Sequence, residues 1–218
     1  MTKSKYLYEF ALSVAAIVGL LFAGCSDSET NSETGIGLQF NPNINYDSFT
    51  DSRNGQSYRT VRIGNRMWMA ENLNYANHLC GTSWCYGNSV SHCTTYGRLY
   101  DWCAAMNACP AGWHLPTDAD WFNLVQTADG QEIAGEKLKS QTGWNDNGNG
   151  TDEFGFSAMP GGYGRSDHRV FIGIGWSSFW WGATELGAWI MGSGYEGVEA
   201  HVIGSDAGLS VRCVRDEW

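Results

Sequence analysis

Residues 109–124, CPAGWHLPTDADWFNL, place one histidine and two aspartates close to two tryptophans. His114 with Asp118 and Asp120 has the composition of an acid–base cluster, in which a histidine and carboxylates exchange protons with a substrate. The same residues also fit a loop that leads into a capped helix. The order of the residues decides between the two interpretations.

A helix start is predicted at Thr117. This residue is a suitable N-cap, and Asp120, three residues later, completes a capping box with Asp in place of Glu. Pro116 disfavours an earlier start. Both aspartates then lie in the first turn, where the helix dipole favours negative charge, so no catalytic role is needed to explain them. One apolar face follows at Trp121, Leu124, Val125 and Ala128.

Another helix is predicted just upstream, in GRLYDWCAAMNA at residues 97–108. Its apolar residues recur at i, i+3, i+4 and i+7, which is the spacing of one buried helix face. That face would carry the Cys103 sulfur toward the interior. The four residues are Leu99, Trp102, Cys103 and Met106.

Strands are predicted on both sides of these helices. SYRTVRIGNRMWMAENL (57–73) alternates around Gly64-Asn65, which is typical of a β-hairpin. Beyond residue 130, short apolar runs are separated by glycines, and in the last of them Leu209, Val211 and Cys213 share one face. We therefore predict an α+β domain with two principal helices and short antiparallel strands.

The amino-terminal segment is typical of a bacterial lipoprotein. Residues 10–23, FALSVAAIVGLLFA, carry no charge and have the length of a signal-peptide core, and Gly24-Cys25 follows. We predict a signal peptide at 1–24, an acylated Cys25 that binds the lipid bilayer, a polar tether to residue 50 and a domain at 51–218. Ser26 and the acidic residues after it favour the outer membrane and the cell surface.

Charge excludes some partners. The full chain carries a net charge of −10. Removal of residues 1–24 leaves 11 basic and 22 acidic residues, a net charge of −11. Such a surface repels nucleic acid and anionic lipid headgroups, so neither is an expected partner.

Six cysteines remain after Cys25, an even number that favours three disulfides in an exported chain. Fifteen connectivities are open on the residues alone. No C-x-x-C is present and the histidines are scattered, so no zinc site is expected. The six are Cys80, Cys85, Cys93, Cys103, Cys109 and Cys213.

Four separated blocks resemble the Fibrobacter succinogenes major paralogous domain, a family of secreted or lipid-anchored bacterial proteins. They are VRIGNRMWMAENLNY, YGRLYDWCAAMNACPAGWHLPTDADW, GWNDNGNGTDEFGFSAMPGG and GLSVRCVRD, and the resemblance covers residues 50–216. HLPTDADW is also similar to a block of formylglycine-generating enzymes. The resemblance implies a loop-rich, disulfide-stapled C-type lectin-like fold. It also implies the pairs Cys109–Cys213, Cys85–Cys93 and Cys80–Cys103.

Signatures of common enzymes are missing from the sequence. GSGYEG at 192–197 matches G-x-G-x-x-G, but a strand-like run follows it, which predicts a hairpin turn instead of a dinucleotide site. Neither G-x-S-x-G nor H-E-x-x-H occurs. The oxidase chemistry of formylglycine-generating enzymes needs two cysteines near the chain end, and only Cys213 follows Cys109.

The loop NDNGNGTDE at 145–153 offers oxygen ligands of the kind calcium prefers. Phe156 occupies the twelfth position, so the loop is no EF-hand. Two interpretations stay open: an irregular calcium site, or a turn in which Asn and Gly adopt left-handed backbone. The candidate ligands are Asn145, Asn147, Asn149 and Asp152, and no other cofactor is expected.

Trp176, Trp180 and Trp181 are candidate ligand-binding aromatics. Adjacent residues of a strand point to opposite faces, so Trp180 and Trp181 either serve two core layers or leave one ring exposed. Exposed indoles are common contact points for sugars and proteins.

Two classes of function follow. We expect a non-catalytic surface lipoprotein that binds polysaccharide or a protein through loops at residues 140–200. The alternative is a polysaccharide hydrolase with a carboxylate pair, Asp152 with Glu185 or Glu196.

Overall fold

A computed structural model describes residues 39–76 and 79–216. The predicted signal peptide, Cys25 and the first part of the tether lie outside the described residues. In the described part, no helix is long and apolar enough to cross a membrane.

Twelve strands and four short helices make up the described part, together with a 3-10 turn at Tyr86–Asn88. The strands are β1 (Asp47–Thr50), β2 (Ser57–Ile63), β3 (Arg66–Met69), β4 (Ser83–Trp84), β5 (Leu99–Tyr100), β6 (Gly161–Arg165), β7 (Phe171–Ile174), β8 (Ser177–Trp181), β9 (Gly187–Gly192), β10 (Glu199–Val202), β11 (Ala207–Ser210) and β12 (Val214–Asp216). The helices are α1 (Val90–Tyr96), α2 (Trp102–Met106), α3 (Asp118–Thr127) and α4 (Ala134–Leu138).

The expectation of an α+β, C-type lectin-like fold with two principal helices is wrong. The described residues are mostly β, in a four-stranded sheet β1-β2-β3-β12 and an eight-stranded sheet β10-β9-β8-β6-β11-β5-β4 with β7 added beside β6. Only α3 reaches ten residues. The strands are not all antiparallel either, since β8 pairs in parallel with β6 and β11.

The upstream helix is shorter than predicted, and its buried face is a different one. Leu99 and Tyr100 form β5, which pairs with β4 and β11, so only α2 remains helical. Cys103 and Met106 are exposed, whereas the alanines of the opposite face are buried. The backbone pairing of β5 overrides the apolar spacing. The buried residues are Ala104, Ala105 and Ala108.

The helix at Thr117 is confirmed. The Thr117 side chain accepts a hydrogen bond from the Asp120 backbone, and the Asp120 side chain accepts one from the Thr117 backbone, which completes the capping box. The four residues predicted for the apolar face are all buried: Trp121, Leu124, Val125 and Ala128.

The predicted hairpin is also confirmed, and it begins the small sheet. β2 and β3 pair antiparallel, with Ile63 opposite Arg66 across the Gly64-Asn65 turn. The domain starts earlier than residue 51, because β1 pairs with β2. Asn41 is buried and donates to the Asp152 carbonyl oxygen at 2.9 Å. The end of the predicted tether is therefore part of the fold.

Two hydrophobic clusters pack against opposite faces of β8 and β9. Trp180 and Met191 belong to the cluster that contains Trp121, and Trp181 and Ala188 belong to the other. Because side chains alternate along a strand, one pair of adjacent tryptophans supplies both clusters.

Three disulfides join the cysteine pairs that the family resemblance implies. Their Cα–Cα distances are 5.8 Å for Cys109–Cys213, 5.0 Å for Cys85–Cys93 and 5.5 Å for Cys80–Cys103. All three lie in the usual range for a disulfide. The first fixes the chain just before α3 to the chain just before β12.

Candidate functional site

Trp180 and Trp181 are not ligand-binding aromatics, because both are fully buried. Their indole N–H groups are also used inside the fold, on Asn72 Oδ1 at 2.8 Å and on the Tyr100 carbonyl oxygen at 2.7 Å. Trp176, by contrast, is 49% exposed. Of the three candidates, only Trp176 can reach a ligand.

The cluster around His114 stabilises the start of α3. His114 Nε2 lies 3.2 Å from Asp120 Oδ2, and Arg66 Nε donates to Asp120 Oδ1 at 2.7 Å. Burial acts to raise the pKa of Asp120, but hydrogen bonds from Arg66, Thr117 and His114 outweigh it and lower the pKa to about 2. A carboxylate held ionised by three partners is a weak proton acceptor, which supports the capped-helix interpretation over an acid–base cluster.

Two of the candidate calcium ligands, Asn149 and Asp152, are hydrogen-bonded within the fold. Asn149 Oδ1 accepts from the Trp144 backbone at 2.9 Å, and the buried Asp152 carboxylate accepts from Ser157. Asp146 and Asn147 have φ values of 49° and 57°, as expected for a turn. In the described part, no group of three or more His, Cys, Asp or Glu is placed to hold a metal ion. Calcium binding stays a prediction, which calorimetric titration would test.

Lys139 lies next to the asparagine loop at residues 145–153. Lys139 is buried, and its Nζ donates to the carbonyl oxygens of Gly192 and Tyr195 at 3.1 and 2.9 Å. Asn147 and Asn149 line the same pocket as Lys139. An internal ammonium group therefore fixes the loop after β9, which borders the same pocket as the asparagine loop.

The predicted carboxylate pairs are not brought together in one pocket. Asp152 is fully buried, Glu185 lines a groove beside β9, and Glu196 lines the pocket at Lys139. Asp118, which the sequence places in the first turn of α3, shares the groove with Glu185.

This groove, here called the Trp189 groove, is the candidate ligand site. It forms where the start of α3 and the loop between β8 and β9 meet the outer strands β9 and β10. Its walls combine one indole with carboxylate, hydroxyl and imidazole groups. The lining residues are Asp118, Thr184, Glu185, Gly187, Ala188, Trp189, Ala200, His201 and Val202.

Trp189 is held rigidly in the groove. Its ring stacks on the buried ring of Trp121, with 5.5 Å between centroids and 14° between planes. A ring that is already packed on one face loses little conformational freedom when a ligand covers its other face, which favours binding.

Unused hydrogen-bonding groups lie beside this ring. The indole N–H of Trp189 is not buried and has no acceptor among residues 39–76 and 79–216. Asp118 Oδ2 accepts from Thr184 at 2.5 Å, whereas Oδ1 has no donor in the same part of the chain. Both groups border Gly182, where a Cβ would lie 3.4 Å from Trp189 Nε1 and 3.7 Å from Asp118 Oδ1.

The charge of the groove is mainly negative. Asp118 and Glu185 contribute two carboxylates. His201 is the basic member, and its Nε2 lies 2.9 Å from Glu199 Oε2. The groove therefore favours ligands that donate hydrogen bonds and disfavours anions.

A family model described as the Fibrobacter succinogenes major domain matches residues 61–215. The chain belongs to this family. No curated protein and no solved structure matches it significantly. In this member of the family, the Trp189 groove lies inside the matched region, whereas residues 39–60, which also pack on the core, precede it.

Trp189 is not among the residues predicted from the sequence of this family member. The residue lies in the run GAWIM at 187–191, just before GSGYEG, and nothing local distinguishes it from a core tryptophan. The available signal was alternation along β9, which places Trp189 on the same face as Met191 and opposite Ala188. Which part of that face remains open depends on α3, a distant segment of the chain.

Proposed function

We propose that this protein is a non-catalytic, lipid-anchored surface module that binds a neutral polysaccharide in the Trp189 groove. The observation that carries the proposal is the Trp189 ring, stacked on Trp121, beside hydrogen-bonding groups that have no partner among the described residues. Ligand sites commonly combine an apolar wall with a few convergent polar groups.

Sugar rings match this arrangement chemically. The C–H face of a pyranose is apolar and packs on an indole, while its hydroxyl groups donate and accept hydrogen bonds at the ring edge. Asp118 Oδ1 and the Glu185 carboxylate accept from hydroxyl groups, and the Trp189 N–H donates to a hydroxyl oxygen. Uronic acids are disfavoured because their carboxylates meet Asp118 and Glu185.

Anchoring rests on the sequence alone. The predicted acylation of Cys25 attaches the mature chain to the outer membrane, and the polar segment after it separates the domain from the lipid. Exposure at the cell surface then brings the Trp189 groove to polymers outside the cell.

A binding panel tests the proposal. The mature chain carrying Cys25→Ser, which removes the acylation site, is incubated with cellulose, xylan, mixed-linkage glucan and polygalacturonate, and bound protein is measured. We expect binding to one or more neutral polymers and none to polygalacturonate. Trp189→Ala should abolish binding, while Trp176→Ala, the matched loss of an exposed indole outside the groove, should retain it.

Two outcomes would contradict the proposal. Failure on every polysaccharide would favour a protein ligand, the other binding partner expected from the sequence. Release of soluble sugar that Asp118→Asn or Glu185→Gln abolishes would favour the hydrolase alternative, since these two carboxylates share the groove.

A further inference from the structure

A second pocket lies between three segments of the chain: the residues after β3, the end of α1, and the segment between β11 and β12. We call it the Arg212 pocket. Its lining includes one cation and one anion, Arg212 and Glu71, among uncharged polar and apolar side chains. The lining includes Glu71, Asn72, Thr95, Gly97 and Arg212.

Arg212 is a buried cation without an ion-pair partner in the described part of the chain. Its exposure is 1%, and no described carboxylate lies within 4.0 Å of its guanidinium. Burial lowers the pKa of Arg212 to about 9, against the attraction of Glu71 and Asp152. A buried charge normally needs a compensating partner, so this guanidinium is a strong anion attractor.

Hydrogen bonds within the fold fix the guanidinium but do not saturate it. Nε and Nη2 donate to Asn72 Oδ1 at 3.0 and 2.7 Å, and Nη1 donates to the Phe156 carbonyl oxygen. Arginine has five N–H groups, so one on each terminal nitrogen has no partner within the described residues. The Phe156 ring also lies 4.3 Å from the guanidinium carbon.

Asn72 is the second fixed element. Its Oδ1 accepts from Arg212 and from Trp180 Nε1, and its Nδ2 donates to the Tyr96 carbonyl oxygen at 2.9 Å. Asn72 is 7% exposed, so this network holds Arg212 at the pocket wall. Gly97 allows Asn72 to pack this closely, because a Cβ there would lie 2.7 Å from Asn72 Cβ.

We propose that the Arg212 pocket binds a small monocarboxylate, which accepts hydrogen bonds from the terminal nitrogens of Arg212. Carboxylates match the planar guanidinium with two parallel N–H···O bonds. Glu71 disfavours a dianion, because a second negative group would face a fixed carboxylate whose Oε1 accepts from the Arg59 backbone at 2.8 Å. The site is separate from the Trp189 groove and independent of the function proposed for it.

Calorimetry with sodium acetate on the mature chain with Cys25→Ser tests this assignment, with sodium chloride at equal ionic strength as reference. We expect saturable binding of acetate with no matching signal from chloride, and at least tenfold weaker binding of malonate. Heat that does not saturate, or equal signals from acetate and chloride, would overturn the proposal.

Variants at the pocket locate the binding without removing Arg212, whose loss endangers folding. Glu71→Gln should tighten acetate binding about tenfold, the effect of removing one repelling charge nearby. Thr95→Trp should block the pocket and abolish binding, while the isosteric Thr95→Val should bind as the parent chain does. Acetate binding that Glu71→Gln and Thr95→Trp leave unchanged would place the anion elsewhere and refute the assignment.

Discussion

The carboxylate of Asp152 accepts two hydrogen bonds from Ser157. The Ser157 backbone N–H donates to Oδ1 and its hydroxyl donates to Oδ2, both at 2.7 Å. Both residues are fully buried. Asp152 was a candidate for calcium binding and for catalysis. Its carboxylate lies inside the domain and lines none of the pockets described above.

The first prediction concerns the dependence of stability on pH. Burial raises the pKa of Asp152 from 3.8 to about 6, against the hydrogen bonds from Ser157. The pKa of Asp152 is higher in the folded state than in the unfolded state. Protonated Asp152 therefore contributes its full share to the free energy of unfolding below the unfolded pKa of 3.8, and this contribution is lost as pH rises through 6. The free energy of unfolding of the native chain minus that of Asp152→Asn should therefore fall by about 2 kcal/mol between pH 4 and pH 7.

Urea unfolding of both chains at each pH gives this difference, and titrations common to the two chains cancel. If the difference in the free energy of unfolding between the two chains is constant, or grows toward neutral pH, then burial does not raise the pKa of Asp152.

The second prediction concerns the cap of α3. Thr117→Ala removes the oxygen that accepts from the Asp120 backbone at 3.2 Å and the hydroxyl that donates to Asp120 Oδ2 at 2.6 Å. We expect the free energy of unfolding to fall by about 1 kcal/mol. Thr117→Ser keeps the hydroxyl and should remain within about 0.5 kcal/mol of the native value. Equal losses in both variants would assign the effect to the methyl group.

The third prediction ranks two disulfides. Cys109–Cys213 spans 104 residues and Cys85–Cys93 spans 8. In the chain-entropy model, replacing the long pair by alanines costs about 4.7 kcal/mol and replacing the short pair about 2.5 kcal/mol. Denaturant midpoints of the two double variants measure the order. A larger loss for the short pair would mean that entropy of the unfolded chain does not govern the ranking.

The fourth prediction probes the Trp189 groove without removing a side chain. In Gly182→Ala, the new methyl group makes only ordinary contacts with Trp189 Nε1 and Asp118 Oδ1, so the fold should persist. The methyl group crowds the two groups that are expected to bond a sugar hydroxyl. Loss of one such hydrogen bond corresponds to about tenfold weaker polysaccharide binding.

Gly192→Ala is the matched control on β9, because its Cβ would meet nothing closer than the Trp176 carbonyl oxygen at 3.9 Å. Binding isotherms and melting temperatures of both variants make the comparison. Equal binding by the two alanine variants would argue against hydroxyl contacts beside Gly182.

Local signals in the sequence predicted local structure well. The cap at Thr117 and the Gly64-Asn65 turn are confirmed because each depends on residues within one turn of the chain. GSGYEG is likewise the turn between the antiparallel strands β9 and β10, as its following strand indicated.

Predictions from local spacing were wrong where pairing with a distant strand overrides the local pattern. Leu99 fits a helix by its i+3 and i+4 neighbours, yet Ser210 pairs with it from the other end of the chain. The fold class was wrong for this reason, since many two- to six-residue strands carry weak local signals and become stable only when paired.

By itself, the sequence determined the family, the capped start of α3, the hairpin and the number of cysteines available for pairing. Only the tertiary structure decided that Trp180 and Trp181 both lie inside, that Trp189 lines a surface groove and that Arg212 is a buried cation at a pocket wall. The physical reason is range. Caps and turns are set by neighbouring residues, whereas burial is set by segments that meet only after the chain has folded.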